Sequence, residues 1–378
     1  MLKRIGVLTG GGDCPGLNPA VKWVVKTASD EELAAERGFQ FEVIGIRDGW
    51  RGLVEYDHRR HPVLPEHTAF GDGDHARLLV ESEVRTWDRQ GGTRLGSSRT
   101  NPFNPDKPMW EAVMASMEAM ELDGLIAIGG EDTLSAAAKL GARGANVVCI
   151  PKTIDRDLQG TDYSLGFETA VNVIVEEVDR LRTTAHSHSR IFVVETMGRY
   201  TGHLALSGGL AAGASHILIP EVPYDVDVVV EGLKKRREDG HRFSIVIIAE
   251  GAKAAGKERV ERQASSKDGF GHPTLGGVGG ELARELEEKT GLEVRAVNLS
   301  HLQRGGVPCA YDRRMARGFG IAAVDLASRG EYNRLVAHQG GIITAVPIPQ
   351  NLHEVRKVDV ARRYDTRTYK AKNTLVDL

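Results

Sequence analysis

Asp155 and Asp157, separated by one residue in PKTIDRDLQGTDYSLGF (151–167), are the most chemically pointed pair in the chain. In an extended segment both carboxylates would face one side. One could take a proton from an attacking hydroxyl while the other worked through a magnesium ion. Beside them, Lys152 offers a point charge for a phosphate and Thr153 a hydroxyl donor. A plainer reading is also open, because DRD can serve as an N-cap or Asx-turn and a helical pattern starts soon after.

Three further stretches have the composition of phosphate loops. TGGGDCPGLNPAV (9–21) places Gly10, Gly11 and Gly12 after an apolar run and before a helical pattern. Glycine lets backbone amides approach a phosphate, and the helix start adds positive potential. The spacing is neither G-x-G-x-x-G nor the Walker pattern, and a tight turn without a ligand would look the same. LIAIGGEDTLSAAAKL (125–140) ends an apolar run in two glycines, then Glu131, Asp132 and Thr133. GGTRLGSSRT (91–100) sets Arg94 and Arg99 among glycines and serines, which suits bidentate phosphate contact or a solvated turn.

Cations collect further on. AHSHSRIFVVETMGRYTGH (185–203) has Arg190 and Arg199 at opposite ends of a strand-like run, followed by Glu250 in AEG, Arg295 in VRAV, and His301 and Arg304 in SHLQRGG. Arginines, a histidine and an acid are what a sugar phosphate needs. His186 and His188 have no neighbouring acid or cysteine to complete a metal set, so they are expected to be polar loop residues.

The elements that must hold these residues follow from hydrophobic periodicity. Apolar runs at 5–13, 41–46, 124–132, 146–155, 190–199, 244–251 and 294–306 mostly lack polar alternation, as parallel strands buried on both faces do. Helical patterns lie between several of them, including 18–38, 109–124 and 169–185. Strands alternating with helices predict an α/β fold with mainly parallel sheets, and ligands bind outside the C-terminal ends of such strands. Residues 56–92 and 252–280 hold turn signals and charges and are expected to be surface insertions or mobile flaps. The basic stretch from Val355 to Lys372 is expected to be solvated surface or a subunit contact.

Bulk properties limit the function classes. The 378 residues are 41% hydrophobic and 27% charged with a net charge of −3, a globular profile with no electrostatic reason to bind nucleic acid or an anionic membrane. Cys14, Cys149 and Cys309 show no pairing pattern and predict reduced thiols. Without a signal-peptide core or a run near the ~20 apolar residues that span a bilayer, the chain is expected to be cytoplasmic.

Together, TGGGDCPGLN, GGEDT, PKTIDRDLQGTDYSLGF, ETMGRYTGH, AEG and SHLQRGG occur in an order that resembles the phosphofructokinase family, from about Ile5 to about Gly341. The resemblance implies two similar Rossmann-like domains with the active site in the cleft between them. It assigns 1–166 plus about 303–354 to a larger donor-binding domain, and 167–302 plus about 355–378 to a smaller sugar-phosphate-binding domain. It implies that Asp155 is the base acting on the 1-hydroxyl of fructose 6-phosphate, with Thr153 beside the sugar and Arg199 stabilising the transferring phosphoryl group. Met197, Gly198 and Arg199 would line the sugar, Glu250 hold hydroxyls, and Arg295, His301 and Arg304 grip the 6-phosphate. Gly12, Arg99 and Thr133 would bind the donor, and Glu131 and Asp157 would hold Mg2+, with glutamate where the family commonly has aspartate. The resemblance also implies a homodimer or homotetramer in which Arg190 and Arg295 reach a neighbour's site. The nucleotide effector site of the family's bacterial ATP users is matched here only in patches, at Lys22 and Lys26.

Asp132 and Lys152 bear on the phosphoryl donor. The family's ATP users have glycine at the position of Asp132 and often at that of Lys152, so this pair resembles the pyrophosphate-dependent branch. A carboxylate about 4 Å from an α-phosphate repels it by about 4 kcal/mol at an effective dielectric near 20. Lys152 would grip pyrophosphate and stabilise it as a leaving group. The expected reaction is Mg-dependent, reversible transfer from pyrophosphate to fructose 6-phosphate. Alternatives are the same transfer from ATP, an NAD or lipid kinase, a nicotinamide oxidoreductase and a non-catalytic sugar-phosphate sensor. PKTID and SHLQRGG count against the second kinase class, the lack of G-x-G-x-x-G against the oxidoreductase, and the retained carboxylates against the sensor.

Overall fold

The computed structural model describes residues 2–257 and 276–372. Five strands come first in the chain, β1 Leu2–Thr9, β2 Gln40–Ile46, β3 Ala76–Leu79, β4 Gly124–Gly129 and β5 Val147–Pro151. Next are β6 Ile191–Thr196, β7 His216–Leu218, β8 Ser244–Ala249 and β9 Val294–Asn298, then β10 Arg334–Gln339 and β11 Ile342–Pro347. They form a seven-stranded sheet, ordered β11-β10-β5-β4-β1-β2-β3, and a four-stranded sheet, ordered β7-β8-β6-β9. The smaller sheet is parallel throughout; the larger is parallel except at its two edges, β2–β3 and β10–β11. This is the α/β architecture with mainly parallel sheets that the unalternating apolar runs predict, and β4, β6 and β8 are buried at every position.

The chain divides into two compact units. One comprises Met1–Ile154, Leu158–Thr169 and Arg304–Glu354; the other comprises Asp155–Asp157, Ala170–Gln303 and Val355–Leu378. The first contains the seven-stranded sheet, whose core gathers Leu8, Ile44, Ile46, Leu125, Val147 and Leu335 from the strands and Leu134 and Leu140 from a covering helix. Removing one such leucine side chain typically costs about 2–5 kcal/mol. The second unit contains the four-stranded sheet. Among the described residues, no helix is long and apolar enough to cross a membrane.

The structure corrects several expectations. The pattern over 18–38 forms two helices, Leu17–Ala28 and Glu31–Arg37, because Asp30 accepts from Leu33 N at 3.0 Å and starts a new helix. Residues 56–92 are not surface flap throughout: β3 lies within them as an edge strand, with Ala76, Leu79, Val84 and Trp87 buried. His186 and His188 lie in the last turn of the long Phe167–His188 helix rather than in a loop. The basic C-terminal stretch is anchored by Val358, Tyr364 and Tyr369, all buried, with the Tyr364 hydroxyl donating to Ile217 O at 2.5 Å. Of 252–280, residues 258–275 lie outside the described residues.

Candidate active site

In the first unit, the C-terminal ends of β1, β4 and β5 bring three motifs together. Gly10 N donates to Ile128 O at 2.9 Å, and Lys152 N donates to Gly129 O at 2.9 Å, so the three strand ends are laced side by side. Thr133 packs into the notch between the glycine turns: a Cβ on Gly10 would lie 2.6 Å from its Oγ1, and one on Gly129 would lie 2.3 Å from its Cβ. Only glycine leaves room there.

Lys152 is 3% exposed, and its Nζ donates to Gly12 O at 2.5 Å. The ammonium therefore sits on the 10–12 turn instead of extending into solvent. The Arg304 guanidinium comes to the same turn, donating to Asp13 O at 3.2 Å and lying 2.7 Å from where a Cβ on Gly12 would be. Ser97, from the 91–100 loop, donates to Gly11 O at 2.5 Å, and Asn18 ties that loop down by accepting from Arg94 N at 2.8 Å. Arg94 and Arg99 are exposed. Cys14 has no exposed surface and burial pushes its thiol up to about 12, so it is an inert packing residue.

Glu131 and Asp132 occupy the first turn of the Glu131–Gly141 helix, where the helix dipole favours carboxylates by about 0.3–1 kcal/mol each. Both are half-buried. Thr153 O accepts from Ser164 Oγ at 2.6 Å, pinning the start of the aspartate segment.

Asp155 and Asp157 belong to the second unit, and the extended geometry expected of them does not hold. Arg156 between them has φ 54°, so the chain turns and the two side chains lose the one-sided alternation of a strand. The helix that follows starts only at Phe167, too far on for DRD to cap it. Asp157 O instead accepts from Arg356 N at 2.7 Å, and Asp155 O from Thr201 Oγ1 at 3.5 Å.

The second unit places Met197, Gly198 and Arg199 just beyond β6 and Glu250 just beyond β8, at neighbouring C-terminal strand ends. Glu250 N donates to Thr196 O at 2.8 Å, and a Cβ on Gly251 would lie 2.0 Å from Arg199 O. His301 follows β9 in the short 3-10 helix Ser300–Arg304 and is exposed.

Arg190 and Arg295 are elsewhere. Arg190 precedes β6 at its N-terminal end, and Arg295 pairs in register with Phe192. Both are held by Glu293, at 2.6 and 2.5 Å. Six residues of strand, roughly 16–20 Å, separate that end from Met197–Arg199. Lys22 and Lys26 are ion-paired with Asp88 and Glu81, at 2.9 and 2.6 Å.

Sequence reasoning missed Gln303. It is fully buried, accepts from Met197 N at 3.2 Å and donates to Ser300 O at 3.0 Å, clipping the β6 loop to the His301 turn. Asn18 was missed as well. Gln303 lies inside SHLQRGG and Asn18 inside TGGGDCPGLN, but neither residue type discloses the contact it makes.

Among the described residues, no group of three or more His, Cys, Asp or Glu side chains is placed to hold a metal ion. That rules against a cage of protein ligands within those residues.

A family model described as phosphofructokinase matches residues 4–327. A pyrophosphate--fructose 6-phosphate 1-phosphotransferase from Amycolatopsis methanolica is 44% identical over 97% of this chain and 99% of its own length. Its namesake from Dictyoglomus thermophilum is also 44% identical, over 97% of this chain and 98% of that one. An ATP-dependent 6-phosphofructokinase 3 from Streptomyces coelicolor is 43% identical, over 95% and 97%. Among solved structures, a pyrophosphate-dependent phosphofructokinase from Marinobacter aquaeolei superposes with a TM-score of 0.77 at 20% identity, over 98% of this chain and 89% of that one. Phosphofructokinase from Saccharomyces cerevisiae gives a TM-score of 0.73 at 29% identity, over 93% of this chain but 45% of that one.

Proposed function

The chain belongs to the phosphofructokinase family, and we propose that within it the chain transfers a phosphoryl group reversibly from pyrophosphate to the 1-hydroxyl of fructose 6-phosphate. The products are fructose 1,6-bisphosphate and phosphate. The observation that carries this reading is Asp132, a half-buried carboxylate in the first turn of the helix that follows the second glycine loop, with Lys152 as its partner, a buried ammonium held at the Gly10–Gly12 turn. A cation fixed beside two glycine loops is preorganised for a small, highly charged donor and needs no nucleoside to anchor it.

Asp155 takes the proton of the 1-hydroxyl, and Thr153 lies beside the sugar. Chain connectivity alone keeps the two within about 7 Å, two residues at ~3.6 Å each. Met197, Gly198 and Arg199 line the sugar, with Arg199 stabilising charge on the transferring group. Glu250 holds hydroxyls, and His301 and Arg304 receive the 6-phosphate. Gly12, Arg99, Thr133 and Lys152 bind pyrophosphate. Arg190 and Arg295, remote from Arg199 along the same strands, serve a neighbouring subunit in a homodimer or homotetramer, and Glu293 holds them in place. The first unit is the donor-binding domain and the second the sugar-phosphate-binding domain. The absence of a membrane-spanning helix among the described residues accords with a cytoplasmic setting.

Glu131 and Asp157 are the carboxylates that would hold Mg2+, as hard oxygen ligands suited to it. When bound, the ion neutralises donor phosphate charge.

ATP is the second donor to consider, because relatives of both kinds stand at nearly equal identity. Asp132 favours pyrophosphate: its carboxylate stands at the start of the helix following the second glycine loop, where an α-phosphate would meet like charge. Substituting Asp155→Asn tests the proposed base. Loss of a general base typically costs about 10²–10⁴-fold, so kcat for fructose 1,6-bisphosphate formation should fall by that much with KM little changed. Retention of full turnover would remove Asp155 from the mechanism.

A further inference from the structure

Asp312 looks from the sequence like a surface charge in YDRR, yet it has no exposed surface. It stands in the first turn of the Ala310–Ser328 helix. Its Oδ1 accepts from the Tyr163 hydroxyl at 2.7 Å and from Gly166 N at 2.7 Å. Its Oδ2 accepts from Thr169 N at 2.9 Å and from Thr169 Oγ1 at 2.6 Å. Burial pushes the carboxyl's pKa up, while these four donors favour its ionised form. A buried carboxylate is costly unless such bonds compensate it, and all four go to one short segment, 163–169.

That segment is the back wall of the first unit's phosphate loops. Ser164 Oγ donates to Thr153 O at 2.6 Å. Leu165 N donates to Pro151 O at 3.1 Å, and Leu165 forms a parallel bridge with Lys152. On its other side, Leu165 O accepts from Cys14 Sγ at 3.3 Å. Gly166 has φ 98°, and a Cβ there would lie 2.5 Å from Cys14 Sγ. Both Lys152–Thr153 and the end of the first glycine loop therefore rest on residues 163–166.

We propose that Asp312 is a positioning residue for phosphoryl transfer, its carboxylate fixing the 163–169 segment and, through it, the backbones of Lys152, Thr153 and Cys14–Gly16. The role assigned to Lys152 and Thr153 rests on the function proposed above; the bracing itself does not.

The near-isosteric Asp312→Asn keeps the volume but offers Nδ2 where Oδ2 accepted two bonds. Steady-state kinetics and amide hydrogen exchange should be measured on this variant and on the wild-type chain. The expected result is a kcat at least tenfold lower and a raised KM for pyrophosphate. Exchange should accelerate at least tenfold across 151–169 but not in β8. Unchanged kcat and pyrophosphate KM would overturn the proposal. So would a loss explained by the folded fraction alone, with exchange faster everywhere. If Asp312→Asn does not fold, Thr169→Val deletes one of the four bonds, together with the bond that Thr169 Oγ1 accepts from Cys309 N at 3.0 Å, and is read the same way. If the wild-type chain turns over neither pyrophosphate nor ATP, the functional reading fails, and exchange at 151–169 alone decides the bracing: local acceleration sustains it, none overturns it.

Discussion

Lys152 closes β5 with a buried ammonium on the Gly12 carbonyl, and Asp132 lies in the first turn of the Glu131–Gly141 helix. The two charges have different legibility. Lysine after a buried strand and before an acidic pair is visible in the sequence, but that its ammonium bends back to the first glycine loop depends on packing 140 residues apart. Asp132 has a structural use too, since an acid at a helix start is favourable. The donor reading separates from this use by substitution. Asp132→Gly should lower helix stability by about 1 kcal/mol and, on our account, raise kcat/KM for ATP at least tenfold while lowering it for pyrophosphate. Steady-state kinetics with each donor checks this. No gain with ATP would assign exclusion to other residues.

At the scale of elements, strand ends were legible where long buried runs finished in glycine or charge, as at β1, β4, β6 and β8. Edge elements were not. β3 has four residues, and the β10–β11 hairpin about Gly340–Gly341 alternates too weakly to stand out, because edge strands are specified by their neighbour as much as by their own pattern. The Asp155–Asp157 geometry failed for a related reason: residue spacing predicts a side only while φ stays extended, and Arg156 does not. Close approach of elements also sets the sugar end. Gly251 lies against the Arg199 carbonyl, so a methyl group there must push backbone away from backbone. Gly251→Ala should therefore displace Arg199 and lower kcat by about 10²-fold, as a shift near 1 Å can, in a protein that remains folded by circular dichroism. Wild-type kcat in that variant would show that the loop can yield without consequence.

For the whole molecule, the fold class and the order of the motifs could be read from the chain, whereas Asp312, Gln303 and Asn18 could not, because their value lies in what distant segments bring to them. Two buried histidines contribute to the pH response. Burial lowers His203 to about 4 and His216 to about 3, against an ordinary value of 6.5. Between those values the unfolded chain binds protons that the folded chain does not, so stability falls as pH drops below about 6.5 and is fully present above it. With both side chains at most 3% exposed, the loss on reaching pH 5 should be on the order of a few kcal/mol. Urea midpoints from pH 7 to 5 should decline, and more gently in a His203→Gln/His216→Gln double variant; a flat wild-type profile would refute the assignment.

The donor claim faces its most direct test in one coupled assay of the wild-type chain, with fructose 6-phosphate and Mg2+ held constant and pyrophosphate or ATP supplied in turn. The account predicts fructose 1,6-bisphosphate from pyrophosphate with a kcat/KM at least 10²-fold above that for ATP, the factor that about 2.7 kcal/mol of discrimination gives. Turnover with ATP that equals or exceeds turnover with pyrophosphate would contradict it.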